Sequence, residues 1–122
     1  MDLYREVILD HYKHPRNFGH LPHATASANA YNATCGDKII MEISVNAKKE
    51  ITDVRFSGVG CAISQAAASM LTEEIKGKHV NSVMNMKAPA MIKMIGSPLT
   101  PSRIKCATLP LEVLQKAVVS LK

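Results

Sequence analysis

The 122-residue chain contains no tryptophan, and aromatic residues make up only 4% of it. We therefore expect a core built from aliphatic and methionine side chains. No apolar run approaches the roughly 18–20 residues that cross a bilayer, which argues against a membrane span. The first residues also lack the basic and apolar regions of a signal peptide. These absences predict a single domain over residues 1–122 that works in the cytoplasm, without a membrane partner.

The sequence also lacks any concentrated block of charge. Fifteen Lys and Arg residues face ten Asp and Glu residues, which gives a formal net charge of +5. This excess is spread along the chain and is not interleaved with aromatic residues, so we do not expect a nucleic-acid partner. It favours solubility and attraction to an acidic partner.

The three cysteines form no Cys-x-x-Cys pair, and they are Cys35, Cys61 and Cys106. An odd number of cysteines in a chain with no export signal argues against a disulfide framework. Isolated cysteines in such domains are more often buried small hydrophobic residues than metal ligands. Their sequence neighbours must therefore decide between these two roles.

The alternation of apolar and polar residues predicts a small antiparallel sheet. Within residues 38–45 every second position is apolar, which is typical of a half-buried strand. A polar turn at residues 46–50 leads to a returning strand over 51–56. The small, polar residues of 24–34 are consistent with an edge strand. The apolar positions of the first clear strand are Ile39, Met41, Ile43 and Val45.

Helical patterns lie on both sides of these strands. A helix over residues 3–13 precedes the sheet, and Gly77 supplies a natural end to the helix predicted from residue 62 to residue 76. Thr100 and Pro101 predict the start of a helical turn that holds residues 103–109, and Pro110 restarts the chain into a final helix. Two further short helices are predicted over residues 80–86 and 89–95. This order of elements indicates an α+β fold.

The segment Cys35-Gly36-Asp37 places a thiol and a carboxylate two residues apart at the start of a strand. In extended backbone these two side chains face the same side, and Gly36 leaves space between them. A thiolate and a carboxylate repel each other unless a cation lies between them. The segment therefore favours a divalent metal as a third participant.

The other two cysteines each have a local reason to ionise. Cys61 opens a helix, where the free backbone N–H groups and the helix dipole favour a thiolate. Cys106 follows Arg103 and Lys105, two cations that act in the same direction. Spacing alone leaves open whether the three sulfurs share one metal.

Several short motifs in the right order resemble the U-type iron–sulfur cluster assembly scaffold family, which comprises IscU, SufU and the N-terminal part of NifU. The resemblance covers nearly the whole chain. It implies an α+β fold in which helices pack a small three-stranded antiparallel sheet, with the cysteines at one end. The motifs are residues 10–17, 35–37, 58–64, 67–72, 76–78 and 103–109.

The resemblance implies one site for Zn²⁺ or a transient [2Fe–2S] cluster, formed by Cys35, Asp37, Cys61 and Cys106. Each thiol is also a candidate persulfide acceptor. The implied function is a scaffold that receives iron, and sulfur from a cysteine desulfurase, and passes the cluster to acceptor apo-proteins. Sulfurtransferase activity through a cysteine persulfide stays open. The alternative is a SufU-like, zinc-dependent sulfur acceptor that activates the desulfurase and holds no cluster. A third reading is an interaction module with a purely structural zinc.

Two departures from the family pattern keep these readings open. Lys105 precedes the third cysteine, where IscU-type members have a histidine and SufU-like members have a basic residue. A protonated lysine cannot bind a metal, so we expect an electrostatic contribution from it. The 45-position separation of Cys61 and Cys106 leaves no room for the insertion typical of SufU.

The partner most in doubt is a chaperone. Residues 100–105 replace the chaperone-binding segment of IscU, so an Hsp70-type partner is not expected. The sequence leaves the oligomeric state open. The histidines at positions 11, 14, 20 and 23 are expected to lie at the surface or at helix ends, without a ligand role.

Overall fold

The computed structural model describes residues 3–33, 36–96 and 99–121, with side chains described from residue 5 onward. Within these residues the fold is α+β, as the sequence predicted, and none of the helices described has the length and hydropathy to cross a membrane. The elements in chain order are α1 (Leu3–Lys13), β1 (Ala26–Asn32), β2 (Asp37–Val45), β3 (Ile51–Val59), α2 (Ala62–Ile75), α3 (Val80–Asn85), α4 (Ala88–Ile95) and α5 (Pro101–Val119).

The three strands form an antiparallel sheet in the order β1-β2-β3. The predicted alternation in β2 is confirmed, because Ile39, Met41 and Ile43 are fully buried while the residues between them are partly exposed. Helix α5 packs on β1 and β2, and α2 packs on β3 and α5. One face of the sheet therefore lies against helices and forms the core.

Helix α2 is buried on nearly all sides, which explains its high content of small apolar residues. Ala66, Ala67 and Ala68 are fully buried, and α1, α4 and α5 pack around the helix. It ends at Ile75, and Gly77 then adopts a φ of +89°. The predicted end of this helix near Gly77 is thus confirmed.

The predicted break at Pro110 is wrong, because α5 continues through this residue. A proline inside a helix costs about 3 kcal/mol, since it cannot donate a backbone hydrogen bond and its ring crowds the preceding turn. Burial of each large apolar side chain contributes about 1.5–3 kcal/mol, and Leu111, Leu114 and Val118 are all buried after Pro110. Core packing therefore outweighs the local signal, and Cys106 lies within one continuous helix.

Strand β3 extends three residues beyond its predicted end and passes close to β2 at Gly58. This glycine has a φ of +120°, and a Cβ atom there would lie 1.9 Å from the carbonyl oxygen of Lys38. No other residue type fits such an approach without moving the backbone. Gly58 thus lets β3 stay paired with β2 as far as Val59, two residues before Cys61.

His11, in the last turn of α1, links this helix to α2. Its Nδ1 atom lies 2.7 Å from the Ser69 hydroxyl oxygen, which also accepts the backbone N–H of Arg16 at 2.9 Å. His11 is buried in the last turn of α1, so of the two expected positions it has the helix end and not the surface. Burial lowers the pKa of His11, and the Arg16 cation acts in the same direction, against a smaller opposing effect of Glu73.

We expect acid to destabilise the fold through His11. Above the ordinary histidine pKa of about 6.5, both the folded and unfolded chains hold His11 neutral, so its contribution is complete. Below that value the unfolded chain binds a proton that the folded chain binds less readily, so the free energy of unfolding falls as the pH drops through the folded-state pKa. Urea unfolding of the wild type and His11→Gln across this range measures the effect.

The His11→Gln variant should show a flatter pH dependence than the wild type. The matched control is His14→Gln, because His14 is exposed and directly follows α1. Equal pH dependence of His11→Gln and the wild type would contradict the assignment.

Candidate metal centre

Asp37 is the first residue of β2, and the alternation of that strand places it on the same face as Ile39. Its carboxylate is therefore carried into the interior and has no solvent exposure. The Oδ1 atom accepts the backbone N–H of Cys61 at 2.9 Å. The Oδ2 atom is buried and has no hydrogen-bond partner among the described residues. An unpartnered buried carboxylate oxygen is unfavourable, and a bound cation would remove that penalty.

Cys61 lies between the end of β3 and the start of α2, at the N-cap position. Its backbone is extended, with φ of −71° and ψ of 170°, and its N–H points to the Asp37 carboxylate. The thiol is partly exposed. The sheet and the helix thus meet where a carboxylate and a thiol are adjacent.

Gly60 makes room for this arrangement. A Cβ atom at this position would lie 2.7 Å from Asp37 Oδ1 and 2.4 Å from the Ser64 hydroxyl oxygen. Both distances are too short for a carbon atom, so only glycine fits while these oxygens keep their positions. The sequence shows a glycine before Cys61, but not the reason for it.

Cys106 reaches the same place from α5, where its side chain is buried. A small cavity of about 210 Å³ opens beside it, and its walls are Cys61, Ser102, Arg103 and Cys106. The cavity gives the sulfurs access from outside, and its only charged wall residue among those described is a cation. Lys105 is exposed and is not part of this wall, so its electrostatic role stays a prediction.

Three potential ligand atoms converge here: an oxygen of Asp37 and the sulfurs of Cys61 and Cys106 all lie within 4.8 Å of one another. Ligand atoms around a tetrahedral zinc lie about 3.3–3.8 Å apart, given Zn–S bonds near 2.3 Å and Zn–O bonds near 2.0–2.2 Å. A contraction of about 1 Å would bring the three atoms to that spacing.

These residues fit a metal ion or an iron–sulfur cluster by their chemistry. Two thiols and a carboxylate are suitable donors, and the unpartnered Asp37 Oδ2 is a position that a cation would satisfy. Cys35 lies outside the described residues, so its part as a fourth ligand stays a prediction. Sequence reasoning missed Ser64, whose only signal was a serine three residues after Cys61, in the first turn of a helix.

Comparison with known proteins gives consistent matches over nearly the whole chain. The model of the NifU-like N-terminal domain matches residues 3–122. The zinc-dependent sulfurtransferase SufU of Bacillus subtilis is 38% identical over 133 aligned positions, covering 95% of this chain and 89% of SufU. The iron–sulfur cluster assembly scaffold protein IscU of Aquifex aeolicus is 39% identical over 116 positions, covering 94% and 73% of the two chains.

A solved structure agrees with these sequence matches. The crystal structure of a candidate iron–sulfur cluster assembly scaffold protein for the SUF system, from Fervidobacterium islandicum, superimposes with a TM-score of 0.82 at 29% identity. The superposition covers 93% of this chain and 94% of the other. The three-stranded antiparallel sheet with its packed helices is therefore shared with a structural neighbour.

Replacement of Gly60 by alanine should weaken metal binding while leaving the fold intact. The added methyl group displaces the Asp37 carboxylate and the Ser64 hydroxyl, and groups that orient ligands change metal affinity by about 10–100-fold. The backbone of Gly60 lies outside the left-handed region, so alanine adds no backbone strain there. Zinc affinity is measured by competition with a chromophoric chelator, and folding by circular dichroism.

Gly77→Ala is the control, because no atom lies within 4 Å of the Cβ that it adds and its φ of +89° is strained for alanine. It should lower stability without changing zinc affinity. Wild-type zinc affinity in Gly60→Ala would show that the close contact at Gly60 has no bearing on the metal centre.

Proposed function

The chain belongs to the NifU-like N-terminal domain family, and from that premise we propose that it is an iron–sulfur cluster assembly scaffold. As a single domain over residues 1–122, it receives sulfur from a cysteine desulfurase, assembles a labile [2Fe–2S] cluster and passes it to acceptor apo-proteins. The observation that carries the proposal is the convergence of Asp37, Cys61 and Cys106 from β2, from the junction of β3 with α2, and from α5. Cys35 is proposed as the remaining ligand.

The donor set supports release of the cargo as well as binding. Thiolates match iron–sulfur clusters well, whereas a carboxylate is a harder and poorer ligand for them. The Asp37 carboxylate also has a second partner, because its Oδ1 atom accepts the N–H of Cys61. Loss of the cluster from Asp37 therefore leaves a carboxylate that keeps one hydrogen bond, which favours transfer to a softer site.

The cavity beside Cys61 supports sulfur delivery to that residue. Cys61 is partly exposed whereas Cys106 is buried, so Cys61 is the more accessible of the two described thiols. Its thiolate attacks the outer sulfur of the donor persulfide. A new S–S bond forms at Cys61, the S–S bond of the donor breaks, and the donor cysteine leaves as a thiolate. Arg103 in the cavity wall stabilises the negative charge of that exchange.

The second candidate function is a zinc-dependent sulfur acceptor, favoured by the 38% identity to SufU and by the basic Lys105 before the third cysteine. In this case the same residues hold Zn²⁺, which keeps sulfur ligands deprotonated when it is bound. The separation of Cys61 and Cys106 favours the scaffold instead. The alignment with SufU is longer than this chain, so SufU contains positions with no counterpart here.

Anaerobic reconstitution tests the proposal. With ferrous iron, cysteine, a cysteine desulfurase and a dithiol that reduces persulfide sulfur to sulfide, the wild-type protein should gain the visible absorption of a [2Fe–2S] cluster and transfer it to an apo-ferredoxin. Replacing any one of the three cysteines by alanine should abolish assembly, whereas Lys105→Ala should still assemble a cluster.

The opposite results identify the alternatives. Equimolar zinc and faster desulfurase turnover, with no cluster formed, would establish the zinc-dependent sulfur acceptor. Equimolar zinc with neither a cluster nor an effect on turnover would leave an interaction module with a structural metal. Absence of both zinc and iron from the purified protein would contradict all three readings.

Asp37→Ala should make the assembled cluster longer-lived. The variant loses its hard ligand, and a thiol from the buffer can complete the iron coordination with a softer donor. The half-life of the visible absorption is measured in the presence and absence of an apo-acceptor.

Asp37→Asn is the matched control, because its amide oxygen can still accept the N–H of Cys61 while the negative charge is lost. A cluster lifetime in Asp37→Ala shorter than that of the wild type would refute the proposed role of the carboxylate in release.

A further inference from the structure

Ser64 lies in the first turn of α2, three residues after Cys61, and has no solvent exposure. Its hydroxyl donates to the carbonyl oxygen of Cys61 at 3.1 Å. The hydroxyl oxygen of Ser64 also lies 3.9 Å from Cys61 Sγ, at the outer limit for a hydrogen bond that involves sulfur. The Ser64 hydroxyl thus donates to the carbonyl of Cys61 and lies within reach of the thiol of the same residue, which donates to it.

The carbonyl does not depend on this hydroxyl. The Cys61 carbonyl also accepts the backbone N–H of Gln65 at 3.1 Å, as in any helix. If the Ser64 proton turns toward the sulfur, the carbonyl therefore keeps a hydrogen bond. The Ser64 hydroxyl can therefore change its acceptor from the carbonyl to the sulfur at a small cost in free energy.

The state of the sulfur decides which partner the hydroxyl takes. As a thiol, Cys61 carries its own proton and can donate it to the Ser64 oxygen. As a ligand it is a thiolate, which has no proton and is a charged acceptor, and hydrogen bonds to charged groups are stronger than those between neutral groups. The hydroxyl proton then has its better partner in the sulfur.

We propose that Ser64 is a positioning residue that donates a hydrogen bond to the Cys61 thiolate whenever the site holds a metal or a cluster. The inference rests on the proposed function, because it requires Cys61 to be a ligand. Asp37 then holds Cys61 through its N–H, and Ser64 holds it through its sulfur. This bond limits the electron density that the sulfur gives to the bound iron or zinc.

A second serine in α2 shows what a purely structural hydroxyl looks like in this helix. Ser69 is also fully buried, but its oxygen is engaged by His11 and by the N–H of Arg16 from a different part of the chain. Among the described residues, the hydrogen bonds of the Ser64 hydroxyl are confined to Cys61. Its oxygen also lies where a Cβ on Gly60 would come within 2.4 Å.

Cobalt substitution provides a direct readout of this hydrogen bond. In the Co²⁺-loaded wild type, a hydrogen bond to a thiolate raises the energy of the sulfur-to-cobalt charge-transfer band. Ser64→Ala should therefore shift this band to longer wavelength and weaken zinc affinity by about 10-fold. Ser64→Thr, which keeps the hydroxyl, should restore the wild-type band. Ser69→Ala, the matched control in the same helix, should leave the band unchanged.

The outcomes separate this inference from the proposed function. A wild-type protein that binds no equimolar Co²⁺ with a thiolate charge-transfer band would overturn the metal centre and the role of Ser64 together. If the wild type binds Co²⁺ and its band superimposes on that of Ser64→Ala, only the role of Ser64 would be overturned. A shift in Ser69→Ala equal to that in Ser64→Ala would have the same consequence.

A measurement on the wild type covers the case in which Ser64→Ala does not fold. Resonance Raman spectra of the Co²⁺-loaded protein in H₂O and D₂O should differ in a cobalt–sulfur stretch, because the hydroxyl proton exchanges. Identical stretches in both solvents would overturn the proposal.

Discussion

The hydrogen bond from the Cys61 N–H to the Asp37 carboxylate is the constraint on which the candidate metal centre depends. It ties the first residue of a central strand to the first turn of the most buried helix, and it determines where the carboxylate can lie. Gly60 gives the carboxylate its space, and Gly58 lets β3 stay paired up to that point. The candidate site thus lies where the sheet meets α2, and backbone geometry determines the positions of Asp37 and Cys61.

Most of the fold follows from patterns that local sequence expresses directly. The alternation through Ile39, Met41 and Ile43 predicted β2, and Gly77 predicted the end of α2, because period and helix ends are short-range properties. The continuation of α5 through Pro110 was not predictable in this way, since it depends on core packing that only the assembled fold supplies. The prediction from local helix propensity failed at Pro110 because the burial of the apolar residues that follow it outweighs the cost of one proline.

Sequence reasoning named the residues of the candidate site, and the structure brings three of them together, but how they are held there was not predictable. The pairing of thiol and carboxylate chemistry around residue 37 pointed to a metal, and the family resemblance implied which residues share it. Neither source indicated that Cys61 is held through its backbone N–H, nor that Ser64 lies against its sulfur. The contact of Cys61 with Asp37 joins residues that only the assembled fold brings together, whereas its contact with Ser64 is local to the first turn of α2. The Gln65 N–H keeps the Cys61 carbonyl hydrogen-bonded if the Ser64 hydroxyl turns toward the sulfur.

Different positions along helix α2 contribute to the stability of the fold and to the candidate site. At Ser69 its buried hydroxyl serves α1 through His11, and the resulting contacts stabilise the fold without reaching the metal centre. At its N-terminus the structure instead leaves Asp37 Oδ2 buried without a partner in the described residues, a local penalty that packing elsewhere must offset. A carboxylate that is only half satisfied by the protein binds a cation readily, and one that keeps its hydrogen bond to Cys61 can also let the cation go. The same bond therefore favours both assembly and transfer, which a fourth thiolate would not.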